Sequence, residues 1–150
     1  MRLLVQRVKE AQVFIDNELH SAIEKGVLVF LGVHLYDQDE QVKWLVNKLI
    51  HLRIFNDENG KMNYSVKESQ AQVLVVSQFT LYGNCKSGRR PDYFQAAPPQ
   101  IAIPLYEKFI KLIGKEITEV KSGKFGAHMQ VHLINDGPVT LFIESPNENE

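Results

Sequence analysis

The sequence is short of the features that most readily betray a function. Its 150 residues hold a single cysteine, Cys85, so no disulfide can form within the chain, and a lone thiol fits a reducing compartment. Charge of neither sign is in excess. Seventeen Lys and Arg stand against 18 Asp and Glu, and a formal net charge of −1 provides no global field to draw the protein onto nucleic acid. Long apolar runs are missing too. The longest, Val27 to Val33, is strand-sized and interrupted by Gly32, so no membrane partner is expected. The opening Met1-Arg2-Leu3-Leu4-Val5 lacks a small-residue cleavage site after an apolar stretch, which argues against a secretory leader and for the cytoplasm.

The usual catalytic signatures are also missing. There is no Gly-x-Ser-x-Gly elbow, phosphate-binding loop, dinucleotide fingerprint or His-Glu-x-x-His. Of the five histidines only His128 and His132 are close together; without a third ligand they are expected to be ordinary strand residues, and no metal or other cofactor is expected. Cys85 neighbours Lys86, which would favour a thiolate, but no base or orienting group can be placed beside it. It reads as an incidental thiol.

What remains is an ordinary globular composition, 44% apolar and 23% charged, long enough for one domain over residues 1–150 with a frayed tail at 146–150. Strands are expected at Leu3–Val8, Ala11–Ile15 and Glu18–Glu24, with Asp16-Asn17 as a turn. Gly26 opens the apolar run Val27–Leu31, suited to a strand buried on both faces. Val42, Leu45, Val46, Leu49 and Ile50 then recur at helical spacing behind a possible cap at Asp39. Val73–Phe79 is a second apolar strand. Gly83–Asp92 reads as a basic surface loop, and Pro98-Pro99 stands where a second helix could begin. Ile117–Val120, Met129–Ile134 and Val139–Glu144 complete a strand-rich α+β fold, a barrel-like sheet with about two packed helices.

Two segments invite a functional reading. Ser77-Gln78-Phe79-Thr80-Leu81 ends an apolar strand in a hydroxyl, an amide and another hydroxyl. Such a strand end can be a site, or it can be a simple strand stop in which Ser and Thr bond the local backbone. Asn135-Asp136-Gly137-Pro138-Val139-Thr140 has the composition of a hairpin turn between two strands, and composition alone assigns it no recognition role.

Taken with their spacing, and with Val5-Gln6-Arg7-Val8, Gly88-Arg89-Arg90-Pro91, Ala96-Ala97-Pro98-Pro99 and Gly123-Lys124-Phe125-Gly126, these segments resemble the D-aminoacyl-tRNA deacylase family over about residues 1 to 145. The resemblance implies a homodimer, without a cofactor, that hydrolyses the ester of D-aminoacyl-tRNA; glycyl-tRNA is expected as a second substrate because glycine has no side chain to exclude. Ser77, Gln78, Phe79 and Thr80 would line the catalytic pocket for the 3′-terminal adenosine and its ester. Gly137-Pro138, with a cis bond, would project into the partner's pocket and exclude L side chains. Phe125 and Met129 would lie near the adenosine, and Arg7 would hold the Gly-Pro segment. Lys86, Arg89 and Arg90 would touch tRNA phosphates or form a solvated basic loop.

Thr80 could act as nucleophile, but no adjacent base is legible. The resemblance and that lack together favour water assisted by the substrate's own ribose hydroxyl, with backbone N–H groups around Phe79 and Thr80 holding the oxyanion. Gly83-Asn84-Cys85 and His128 depart from the family pattern, which touches tRNA preference rather than the two signature segments. The rivals are a nucleic-acid-binding module without catalysis and a small-molecule esterase, the latter disfavoured by the missing triad.

Overall fold

The computed structural model describes residues 1–146. The tail expected at 146–150 therefore falls, but for Pro146, outside the described residues. In chain order the elements are β1 (Arg2–Ile15), β2 (Glu18–Ile23), β3 (Gly26–Gly32), α1 (Asp39–Ile50), β4 (Arg53–Asn56) and β5 (Met62–Ser65). They continue with β6 (Gln72–Ser77), a 3-10 turn (Phe79–Tyr82), α2 (Pro99–Ile113), β7 (Val120–Ser122) and β8 (Met129–Glu144). Strands β2-β1-β3-β6-β7 lie side by side, β8 adds to β1, and β4-β5 is a separate ribbon. The sheet is strand-rich and nearly closed, with both helices packed on it. No helix among the described residues is long and apolar enough to cross a membrane.

The first strand joins what the sequence suggested were two. β1 runs through Lys9-Glu10 without a stop, because the polar pair marks a change of partner rather than an end. Arg2 to Val8 pair with β3, and Ala11 to Ile15 pair with β2. Register shifts against β8 flank Val8. The strand turns over there: Leu3 and Val5 enter the core beneath the helices, whereas Val8, Ala11 and Val13 enter a second core on the opposite side of the sheet. Asp16 and Asn17 both adopt positive φ, as a two-residue hairpin turn requires.

β8 is likewise continuous where two strands and a turn were expected. Gln6 pairs with Thr140 and Val8 with Asn135, so Asp136 to Val139 stand opposite Arg7 alone. Turn-forming residues are also bulge-forming residues, and here they swell a strand instead of reversing it. Asn135 Nδ2 spans the gap, donating to the carbonyls of Arg7 (3.0 Å) and Val139 (3.1 Å). Pro138, which has no N–H to give a ladder, sits in a strand whose far edge carries no partner strand among the described residues.

β3 and β6 are the parallel centre of the sheet, paired from Gly26↔Gln72 to Leu31↔Ser77. As their apolar runs suggest, β3 is buried on both faces, Val27 and Val29 under the helices and Leu28 in the second core. The two backbones approach so closely that a Cβ on Gly26 would lie 1.9 Å from the Gln72 carbonyl oxygen. β6 stops at Ser77 instead of reaching Phe79, because the chain folds back into the 3-10 turn. Cap and strand limits differ elsewhere. Gln38, not Asp39, caps α1, exchanging bonds with Gln41, while Asp39 pairs with Lys108 and ties α1 to α2. The strand expected at 117–120 begins only at Val120, because Ile117 is taken into the core beside α2.

Gly26→Ala forces β3 and β6 apart. It should cost about 3 kcal/mol, the upper end for overpacking, and lower the melting temperature by roughly 6–12 °C for a domain of this size. Calorimetry or denaturant unfolding checks this, and an unchanged midpoint would refute the close approach.

Candidate active site at the ends of the parallel strands

A cleft of about 650 Å³ opens where β3 and β6 end. Its floor is apolar, with Leu31 and Val76 from the strands, Val33 just past β3 and Ala102 from α2, and Ser77, Gln78 and Phe79 cross its rim. Gly32 makes this possible. A Cβ there would come within 3.0 Å of the Gln78 carbonyl oxygen and 3.1 Å of Leu81 Cβ, so the bare backbone lets the 3-10 turn lie against β3.

The turn arranges its backbone donors unevenly. Gln78 N–H donates to Leu31 O at 2.8 Å and Leu81 N–H to Gln78 O at 3.2 Å. Between them, the N–H groups of Phe79 and Thr80 open the turn and have no acceptor among the described residues. Two consecutive free donors at the rim of a largely apolar cleft suit a developing oxyanion. The Thr80 side chain is exposed and does not line the cleft; its hydroxyl accepts from the Gln78 amide, and no base is bonded to it among the described residues.

The opposite wall is set by a turn at Lys124–Ala127, where Gly126 takes φ of 78° and Ala127 N–H bonds Lys124 O at 3.1 Å. Phe125 and Met129 thereby reach the cleft beside Ser77, Gln78 and Phe79. Tyr106 of α2 steadies that wall. Its ring meets Phe125 edge-on at 5.7 Å, and its hydroxyl donates to Val75 O at 3.2 Å. Burial pushes this phenol up to about 12, so it stays a donor at neutral pH. Tyr106 and Ala102 are not named by the sequence reading; the only signal for them was their place on the buried face of a helix.

The remaining expected site residues lie elsewhere. Arg7 is buried at the bulge of β8, its Nε 3.1 Å from Asp136 Oδ2 and its Nη1 donating to Ile54 O at 2.6 Å. Gly137 and Pro138 form a cis peptide in that bulge and do not line the cleft of their own chain. Lys86, Arg89 and Arg90 are exposed on a loop whose base is closed by Asn84 and Asp92, with bonds of 2.8 and 3.1 Å between their backbones. Cys85 is exposed on the same loop. His132 packs against Phe14 at 4.9 Å, away from the cleft.

Comparison with known proteins supplies the class. A relative from Protochlamydia amoebophila named D-aminoacyl-tRNA deacylase is 61% identical over 97% of this chain and 96% of its own, and one of the same name from Thermotoga petrophila is 52% identical over 97% of each. The solved structure titled c-Myc DNA Unwinding Element Binding Protein superposes with a TM-score of 0.93 at 43% identity, covering 98% of this chain and 100% of that one. A probable eukaryotic D-amino acid tRNA deacylase shares the fold, with a TM-score of 0.80 at 20% identity over 95% and 97% of the two chains. The protein is an enzyme, a hydrolase. More narrowly, the family model for D-Tyr-tRNA(Tyr) deacylase matches residues 4–144, and the chain belongs to that family.

His34, next to the cleft residue Val33, lends the region a pH dependence. Burial lowers its pKa below the usual value of about 6.5, opposed by nearby Asp37 and reinforced by the N-terminal ammonium and Arg2. Its Nδ1 accepts the Tyr36 N–H at 3.3 Å, which requires that nitrogen unprotonated. The unfolded chain therefore takes the proton first as pH falls, and stability drops below about pH 6.5 until the folded-state pKa is passed. Chemical unfolding at pH 7.5 and 5.5 should show this loss, with a shallower slope in His34→Gln; equal slopes would remove His34 as its source.

Proposed function

We propose that this chain hydrolyses the ester joining a D-amino acid to the 3′-terminal adenosine of tRNA, releasing the free D-amino acid and the tRNA, in the cytoplasm and as a homodimer. The observation that carries the reading is the pair of free N–H groups at Phe79 and Thr80 beside a cleft large enough for an aminoacyl-adenosine. Family membership supports it.

In the proposed step, the oxygen of a water molecule attacks the ester carbonyl, positioned by the neighbouring 2′-hydroxyl of the substrate's ribose. The carbonyl oxygen gains charge and is held by the two N–H groups, where one such donor typically contributes about 2.7–4 kcal/mol. The bond to the 3′-oxygen breaks, and that oxygen takes up the proton the attacking water gives up, leaving the free acid and the 3′-hydroxyl. Thr80 is not the nucleophile on this account, because its hydroxyl is engaged by Gln78 and lacks a base. Ser77, Gln78, Phe125 and Met129 hold the adenosine and its ester, and Lys86, Arg89 and Arg90 meet tRNA phosphates.

Selection for D residues comes from a neighbouring subunit. Gly137-Pro138 stands out from β8 and is absent from its own chain's cleft, so its action on a cleft would be across a dimer. The open edge of β8 and its exposed Ile134, Leu141 and Phe142 favour such an interface. Arg7 braces the bulge through Asp136. Backbone atoms fixed in that position exclude an L side chain by collision and need no grip on the D side chain, so many D-amino acids are accepted and glycine passes too.

The deciding experiment is a deacylation time course on matched D-aminoacyl-, L-aminoacyl- and glycyl-tRNA. The D and glycyl esters should be cleaved and the L ester spared; equal rates on both enantiomers would sink the selector. Thr80→Ala should keep most of the activity, whereas a terminal 2′-deoxyribose should abolish it; the reverse pattern would make Thr80 the nucleophile. Gly137→Ala has room in its own chain, with the new methyl 3.5 Å from Asn135 Oδ1. It should keep its melting temperature yet lose about ten-fold or more in D-ester turnover, a loss of about 1.4 kcal/mol in transition-state stabilisation. The rival reading, a nucleic-acid-binding module, draws on the structural match to a DNA unwinding element binding protein. Salt-dependent binding of uncharged tRNA or DNA with no ester turnover would favour it.

A further inference from the structure

Two β-turns meet next to the cleft. One is closed by Asp37 N–H to His34 O and the other by Ala96 N–H to Tyr93 O, each at 3.0 Å. A backbone bridge between His34 and Ala96, with Leu35 N–H to Gln95 O at 3.0 Å, fastens the turns to each other. Each holds a ring out in water: Tyr36 is 73% exposed and Phe94 85%. Two further aromatics connect them to the cleft, since Phe79 and Tyr93 both line it and meet edge-on at 5.1 Å. Aromatic surface thus continues outward from the cleft onto rigid backbone. Neither Tyr36 nor Phe94 belongs to a core cluster, so folding does not explain these exposed rings.

The chain leading into this surface is strongly basic. From Gly83 to Pro91 it carries Lys86, Arg89 and Arg90 and no acid, and none of the three forms an ion pair with a described residue. The next residue, Asp92, is occupied by Asn84, whose Nδ2 donates to it at 2.9 Å. Exposed rings on hydrogen-bonded turns, reached from a loop whose cations form no ion pair among the described residues, fit a ligand with flat faces and a negative backbone, which is single-stranded nucleic acid. We infer that Tyr36 and Phe94 form a stacking platform for the unpaired nucleotides preceding the terminal adenosine, while Lys86, Arg89 and Arg90 take their phosphates. This rests on the deacylase reading, which puts the terminal adenosine in the cleft, beside the Phe79 and Tyr93 rings from which this aromatic surface continues.

The test compares the wild type with Phe94→Ala, Tyr36→Ala and Phe94→Trp on two substrates, D-tyrosyl-tRNA and the D-tyrosyl ester of adenosine alone. Each alanine variant should lose about ten-fold in kcat/KM on the tRNA, as expected for one lost base stack, and change less than about two-fold on the adenosine ester. Phe94→Trp should keep the tRNA rate. An unchanged tRNA rate, an equal loss on both substrates, or a dimer that dissociates when either ring is removed would each overturn the platform. Failure of the wild type to cleave either ester would instead overturn the deacylase reading. Binding of a labelled single-stranded RNA would then judge the platform, upheld if Phe94→Ala weakens it and refuted if it does not.

Discussion

The parallel pairing of β3 with β6 governs the position of everything in the cleft. Its register sets Leu31 beside Ser77, so the chain leaves β6 alongside Gly32, the one residue small enough for the 3-10 turn to close against the strand. Gly26 performs the same service at the other end, where the Gln72 backbone leaves no space for a side chain. A slip of one residue would carry Ser77 and Gln78 to the other face of the sheet and bury the wrong set of side chains. The donors at Phe79 and Thr80 are therefore fixed by two bare backbone positions, one against the turn itself and one at the far end of the paired strands.

Two cores make this arrangement stiff. The larger lies between sheet and helices, and the smaller fills the far side of the sheet with Val8, Val13, Leu28 and Leu74. β1 serves both because it turns over at Lys9-Glu10. The wall of the cleft belongs to both as well: Phe125 packs on the helix-side core through Tyr106, and Met129 on the smaller one. A ligand resting on Phe125 and Met129 would thus press on two independently packed supports, the kind of preorganisation that spares a site reorganisation.

Much of this was legible in the residues. The apolar runs of β3 and β6, the helical spacing from Val42 to Ile50, the Asp16-Asn17 turn and the alternation from Met129 to Ile134 all have direct physical causes in their side chains. The Ser77–Phe79 rim stood out as a strand end turning polar, its pocket role and those of Phe125 and Met129 came from family resemblance, and the fold brings these residues around one cleft. Other features were hidden for equally physical reasons. Asn-Asp-Gly-Pro favours any sharp local departure from a strand, and only the long-range pairing with β1 decides between reversal and bulge. Thr80 was expected in the pocket by resemblance to the family, but a tight turn changes direction with every residue, and its side chain is exposed and outside the cleft lining. Tyr106 and Ala102 carry no mark beyond the helical spacing of a buried face, since a cleft wall and a core face of one helix have the same periodicity.

The bulge of β8 has a consequence for how the protein behaves on dilution. If the element that reads handedness is borrowed from a second subunit, a lone chain keeps its cleft and its free donors but has one side unguarded. Fidelity would then follow the law of mass action. Where subunits are scarce the enzyme would first become less discriminating, cleaving esters it ought to leave, before it became less active.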